Sequence, residues 1–164
     1  GFIVGMILET GSHGSCPGRR GSTVTQAMTA CLFCEIAAGK RPAAFVLETE
    51  SVAAFLDHAP LFPGHTLLIP RTHAATVEDL PADAAGPFWS AISQVARAVR
   101  LGTGAEGTFV AINNVVSQSV PHLHAHIVPR TRGDGLRGFF WPRTTYDDDA
   151  DLAAWGARLR DALA

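Results

Sequence analysis

The stretch His122-Leu123-His124-Ala125-His126-Ile127-Val128 constrains this chain more than any other. Histidines alternate with apolar residues, and two is the period of a β-strand. The three imidazoles are therefore expected on one face of one strand, with Leu123, Ala125 and Ile127 turned the other way into a core. Pro121 is expected to set the start of that strand and Pro129 its end, since neither can donate to a ladder. Three of the chain's seven histidines on one polar face are costly unless they bind or react with something. Two other readings stay open: an amphipathic strand with solvent-facing histidines, and a metal shared by all three rings.

At 164 residues the chain can bury a core as one domain without covalent staples. A formal charge of −2 gives no field for nucleic acid or an anionic membrane, so neither is an expected partner and any anionic ligand must be held by local donors. Three cysteines argue against a disulfide framework. Cys31 and Cys34, spaced Cys-x-x-Cys, read as a metal pair in a reducing compartment, which points to a cytoplasmic location. Two buried thiols acting as small hydrophobes are the alternative. A redox pair is a third reading, opposed by Phe33 between them and by the lack of a thioredoxin-like context.

Residues 1–30 read as a separate extension. Gly1 to Leu8 is apolar but too short to span a bilayer, and it lacks a basic region ahead of it. Gly11 to Gly21 is rich in Gly and Ser with Pro17 and a lone Cys16, as in a linker, and Met28 is where the native domain is expected to begin. The main domain is expected over 31–143 and a helical tail over 144–164. Within the domain, Cys31 to Gly39 forms a short helix closed by glycine. Phe45 to Thr49 and Val52 to Asp57 are strands joined by a tight turn, and Thr66 to Ile69 is a buried strand. Asp79 and Pro81 signal a helix start. Phe88, Ile92, Val95 and Val99, with Trp89 and Ala96, make its core stripe. Thr108 to Ile112 is the strand before the histidines. Asp147 to Asp149 open a last helix with Leu152, Trp155, Leu159 and Leu163 on one face. Five short strands, a long helix between the third and fourth, and short terminal helices give an α+β class.

His-x-His-x-His followed by two apolar residues and preceded by Gln118-Ser119-Val120 resembles the signature of the histidine triad superfamily of nucleotidyl hydrolases and transferases. The likeness continues through Cys31-x-x-Cys34-Glu35-Ile36, Phe55-Leu56-Asp57 and Pro63-Gly64-His65-Thr66-Leu67-Leu68-Ile69-Pro70-x-x-His73. It implies an antiparallel five-stranded sheet with the long helix on one face, and a homodimer whose central strands join two sheets. It implies cleavage at the α-phosphorus of a purine nucleotide conjugate: a phosphoramidate, an adenylate or a dinucleoside polyphosphate. A non-catalytic nucleotide-binding or scaffold protein is the alternative.

The resemblance also implies residue roles. His124 is the nucleophile that forms a nucleotidyl-imidazole, and neutral imidazole suits that at pH 7. His126 contacts phosphate oxygens or the bridging atom, His122 supports the site, and Ser119 donates near the leaving group. Gln118 and Asn113 hold the phosphate side. Asp57, at a strand end with Phe55 and Leu56, accepts the ribose hydroxyls; a turn aspartate is its alternative. Cys31, Cys34, His73 and His122 resemble the ligands of a closed, structural zinc site. His122 thus stands in both sets, and its ring cannot serve both through one nitrogen. His65 is read as capping the turn at its strand start. The stretch Asn113-Asn114-Val115-Val116-Ser117 departs from the usual pattern, which is longer and contains glycine, the residue that lets backbone approach a phosphate.

Overall fold

In the computed structural model, residues 31–136 and 144–163 are described. The expectations placed on residues 1–30 lie outside them. Five strands run in the order β1-β2-β3-β5-β4, each antiparallel to its neighbours: β1 Phe45–Glu48, β2 Val52–Leu56, β3 Thr66–Pro70, β4 Gly107–Ile112 and β5 Ala125–Arg130. Helix α1 spans Leu32–Ala37, α2 Ala82–Thr103 and α3 Asp149–Asp161.

β2 and β3 read as unbroken apolar runs because they are covered on both faces. On one face α2 lays Phe88, Ala91, Ile92, Val95 and Val99 against Val52, Ala54, Leu68, Leu123, Ala125 and Ile127. On the other, Phe33 and Ile36 of α1 pack on Ala53, Phe55, Leu67 and Ile69. Trp89 departs from the expected stripe: it follows Phe88 by one residue, is turned well off the buried face, and is half exposed. Asp79 does not open α2. It closes a short 3-10 turn over Val77–Asp79, its carboxylate accepting from the Thr76 N–H at 2.9 Å and hydroxyl at 2.7 Å, and Pro81 caps α2. Gly104, at φ 70°, ends α2 in the left-handed conformation.

The histidine strand starts later and ends later than the prolines suggest. Pro121 lies well before β5, and Pro129 is inside it, opposite Thr108. β5 has β3 for a neighbour only as far as Ile127, so a residue without an N–H is tolerated beyond that point. α3 buries no residue: Leu152, Trp155 and Leu159 form an exposed apolar face, with the Arg158 guanidinium 4.5 Å from the Trp155 ring centre.

Arg71, just past β3, anchors α1 to the sheet. Its guanidinium donates to Thr49 O at 2.6 Å, to Glu48 at 3.1 Å and to the Ala37 carbonyl at the end of α1. At the other end of β3, Gly64 has φ +94°, and a β-carbon there would stand 2.5 Å from Thr103 Cγ2. Gly64→Ala is expected to destabilise the fold by about 1–3 kcal/mol through overpacking and a disfavoured φ. Thr103→Ser removes that methyl and keeps the hydroxyl that donates to Val99 O at 2.7 Å. Urea melts should show the double variant recovering part of the loss, the part due to the clash.

Candidate active site

His122, Leu123 and His124 form an extended lead-in to β5, held by Leu123 N donating to Ala74 O at 2.7 Å. Leu123, Ala125 and Ile127 enter the core beneath α2, so the three imidazoles leave on the opposite side. There they part company. The His122 ring is fully buried, and its Nε2 donates to Pro70 O at 2.9 Å, leaving the lone pair of Nδ1 toward the Cys31 and Cys34 sulfurs, each 3.4 Å away. His124 Nδ1 lies 2.7 Å from the carbonyl of His122. A carbonyl can only accept, so the proton is on Nδ1 and the His124 Nε2 carries a lone pair. The edge of Phe33 meets this ring at 5.2 Å between centres, and His126 lies 5.0 Å away on the other side.

His126 is oriented by a residue read above as a turn cap. His65 is buried, with Nε2 3.0 Å from His126 Nδ1. The Leu61 N–H, which can only donate, meets His65 Nδ1 at 3.3 Å. The His65 proton therefore sits on Nε2 and is donated to His126 Nδ1, and the His126 proton sits on Nε2. Asp57 Oδ2 stands 3.5 Å from His65 Nδ1, while Oδ1 accepts from Ala59 N at 2.9 Å. Asp57 thus closes a turn and also borders the site. No sequence spacing announced His65; it reaches His126 because β3 and β5 lie side by side, with Leu67 opposite His126.

Burial, then the His124 and His65 imidazoles, push His126 down to about 4, against the opposing pull of Asp57. Burial lowers His65 and His122 as well. At neutral pH His126 is therefore an uncharged donor.

A cavity of about 620 Å³ opens beside these rings. Leu32, Phe33, Ile36, Phe55, Leu56 and Val120 form apolar walls, while Asp57, Ser119, His124 and His126 supply polar groups. Two residues expected at the site are directed elsewhere. The His122 ring borders neither this cavity nor the one beyond His126, because both its nitrogens are turned to Pro70 and the cysteines. Gln118 braces its own loop: Nε2 donates to Ala75 O at 2.6 Å and Oε1 accepts from Val115 N at 2.8 Å. Of the two asparagines, Asn114 accepts from Val77 N at 2.9 Å, whereas Asn113 lines the cavity beyond His126. The loop without glycine still takes glycine-like backbone: Val115 has φ 63° and Ser117 φ 62°.

Cys31, Cys34, His73 and His122 bring four donor atoms within 4.8 Å of one another. Cys34 Sγ lies 3.4 Å from the Nδ1 of both His73 and His122. Sulfur and nitrogen bound to one tetrahedral zinc ion stand about 3.5 Å apart, so the spacing fits. The donor Nε2–H of His122 is already held by Pro70, which fixes the tautomer a metal needs. Burial and the adjacent Cys31 push the Cys34 thiol up to about 11, and a bound cation would reverse that. The triad histidines do not converge on a metal among the described residues.

The HIT domain family matches residues 38–133. The chain belongs to the HIT domain family. Among HIT relatives, an uncharacterised HIT-like protein of Mycobacterium tuberculosis is 37% identical over 139 residues, covering 82% of this chain and 93% of that protein. The adenosine 5'-monophosphoramidase hnt1 of Schizosaccharomyces pombe is 35% identical over 114 residues, 68% of this chain and 83% of that one. The adenylylsulfatase HINT3 of Arabidopsis thaliana is 30% identical over 132 residues, 79% and 66%. The crystal structure of a HIT family member from Bacillus subtilis superposes with a TM-score of 0.77 at 36% identity, covering 82% of this chain and 98% of that one. A zinc-bound histidine triad protein from Mycobacterium smegmatis gives 0.62 at 37% identity, covering 81% and 97%. The HIT fold anticipated from the motifs, a five-stranded antiparallel sheet with a long helix on one face, is the fold of this chain. No helix among the described residues is long and apolar enough to cross a membrane.

The buried imidazoles give stability a defined pH dependence. An unfolded histidine takes a proton near pH 6.5, while folded His126 resists one until about 4. Between those values the unfolded state binds more protons, so stability is full above pH 6.5 and falls as the pH is lowered toward 4. Thermal melts across that window should show the decline, and His126→Asn should flatten it. An unchanged slope in the variant would remove His126 as a source.

Proposed function

We propose that this chain is a nucleotidyl hydrolase or transferase that cleaves purine nucleotide conjugates at the α-phosphorus through a nucleotidyl-histidine intermediate. The observation that carries this is the 2.7 Å bond from His124 Nδ1 to the His122 carbonyl, which leaves the Nε2 lone pair available beside the main cavity. The relatives named as an adenosine 5'-monophosphoramidase and an adenylylsulfatase support an adenylate-type substrate.

The nucleoside lies among Phe33, Ile36, Phe55 and Leu56, with Asp57 accepting from the ribose hydroxyls. His124 Nε2 attacks phosphorus, forming an N–P bond as the bond to the leaving group breaks. His126, through its Nε2–H, and the Ser119 hydroxyl face the phosphate and the departing atom, which takes a proton as it leaves. Water then attacks phosphorus: its oxygen joins the nucleoside monophosphate, its proton passes to solvent, and the N–P electron pair returns to His124 Nε2. Asn113 faces the phosphate side, whereas the Gln118 side chain serves the loop. Positioned donors suffice for such chemistry because phosphoryl transfer depends mainly on alignment and charge stabilisation. His124→Ala should abolish release of nucleoside monophosphate from an adenosine phosphoramidate while nucleotide binding persists in calorimetry. Undiminished turnover would remove His124 as nucleophile. Absent turnover in the parent protein, with nucleotide still bound, would favour the non-catalytic binding reading.

Cys31, Cys34, His73 and His122 are proposed to hold one structural zinc. Bound there, the ion would tie α1, the exit of β3 and the lead-in to β5 together through four protein ligands, a structural and not a catalytic role. Purified protein is expected to hold about one zinc per chain. A chelator should lower its melting temperature, because metal bound only by the folded state stabilises it. Cys34→Ser should lose the metal and only part of the activity. Metal-free protein with both thiols reactive would overturn the assignment. The proposed molecule is a homodimer in the cytoplasm.

A further inference from the structure

One wall of the main cavity is built by residues that no step of the proposed chemistry uses. Arg41, Pro42, Ala43 and Ala44 line it and lead into β1, the outer strand of the sheet. His126 lies on β5, three strands away, which puts this wall about 14 Å across the sheet from the triad strand. The segment is fixed at both ends. Lys40 N donates to Glu35 O at 2.8 Å, holding it against α1, and Ala44 O accepts from Leu56 N at 2.9 Å, holding it on β2. Pro42 confines Arg41, the residue before it, to extended backbone. Arg41 Nε donates to the Glu35 carboxylate, a bond that leaves Nη1 and Nη2 for a ligand. Among the described residues lining the cavity, Arg41 is the only arginine or lysine.

We infer that Arg41 contacts the base edge of the bound nucleotide and selects guanine over adenine, with Glu35 as its positioning residue. The inference rests on the nucleotide pose proposed above, with phosphorus at His124 and ribose at Asp57, and it narrows the purine of that reading. Asp57 follows β2, so a nucleotide that begins at β5 and places its ribose there carries its base on toward β1. Leu32, Phe33, Ile36 and Phe55 meet the faces of the base, the two phenyl rings edge to face at 5.6 Å between centres. Apolar walls of this kind hold either purine and tell neither apart. The polar edge is where the bases differ. Guanine presents O6 and N7, two adjacent acceptors, and a guanidinium fork donates to both. Adenine keeps N7 but sets an amino donor where O6 stands, so one of the two bonds is lost and two donors face each other. Adenine is still accepted, through N7 and the apolar walls, and the preference is a ratio and not an exclusion. The Arg41 side chain is more than half exposed, so water competes and the ratio is set at about tenfold, near the low end for a bidentate contact.

Calorimetry on the full chain with four monophosphates tests this: GMP, IMP, 7-deaza-GMP and AMP. GMP and IMP, which share O6 and N7, should bind alike and about tenfold more tightly than AMP, a difference of about 1.4 kcal/mol. 7-Deaza-GMP, which lacks N7, should fall between. Arg41→Met keeps the length of the stem and removes the fork; it should bring the GMP-to-AMP ratio to within about twofold of one. Arg41→Lys keeps the charge without the fork and should leave a ratio of about threefold. Glu35→Gln should lower the ratio in part, and should change it no further once Arg41→Met is present. The kcat/KM values for guanosine and adenosine phosphoramidates should follow the same ratios. AMP binding as tightly as GMP in the parent protein, or a ratio undisturbed by Arg41→Met, would overturn the inference. So would equal losses for both nucleotides in that variant, since a contact to phosphate, ribose or the cavity wall alone does not distinguish bases. The expected ratios with no turnover would uphold the base contact and remove the catalytic reading. Failure of all four nucleotides to bind would remove the nucleotide reading itself and the inference with it.

Discussion

The carbonyl of His122 is the point on which the site depends. It accepts the Nδ1 proton of His124 and so fixes which nitrogen of that ring is basic. The ring of the same residue faces away, pinned between Pro70 and two cysteines. One residue thereby joins a structural cluster to a chemical centre through its own backbone. A shift in the ring of His122 would turn the carbonyl and with it the tautomer of His124, without any change in what lines the cavity. The imidazole of His126 is handled differently, through His65 and the Leu61 N–H, so its proton is set from the loop before β3.

The sheet makes this arrangement possible by being covered unequally. α2 spans one face from β2 to β4, whereas on the other α1 lies over β2 and β3 and reaches the lead-in to β5 through Phe33. The imidazoles sit at the boundary between the covered and open halves of that second face. Burial suppresses protonation of His126, yet that ring borders open space on both sides. Arg71 and the four-donor cluster both fasten α1, so the wall of the main cavity is tied at each end of a short helix that has little stability of its own.

Much of this could be read in the sequence, and for definite reasons. Strict alternation gave the inward face of Leu123, Ala125 and Ile127, and apolar runs gave β2 and β3, because period and burial are local properties. The Cys-x-x-Cys spacing pointed to a metal pair, because two thiolates so placed can share an ion, whereas His73 and His122 joined that pair only through the family resemblance. What the sequence hid depends on pairings between distant segments. His65 gains its place only through the β3–β5 register. Gln118 is directed to Ala75 and not to the cavity because the loop folds back on the segment after β3. The division of the triad, with His122 turned to the cysteines, is equally invisible to a pattern that treats three alternating residues alike.

The loop from Asn113 to Gln118 carries a consequence for how such a chain can change. Val115 and Ser117 hold backbone angles suited to glycine, a strain on the order of 1–2 kcal/mol at each. They are held there by Gln118, which ties Val115 N to Ala75 O, and by Asn114, which ties the loop to Val77. The side chains at these positions are thus an epistatic unit. A replacement of Gln118 is tolerable after Val115 has become glycine and damaging before it, so the order of substitutions, not only their sum, governs which neighbouring sequences are reachable.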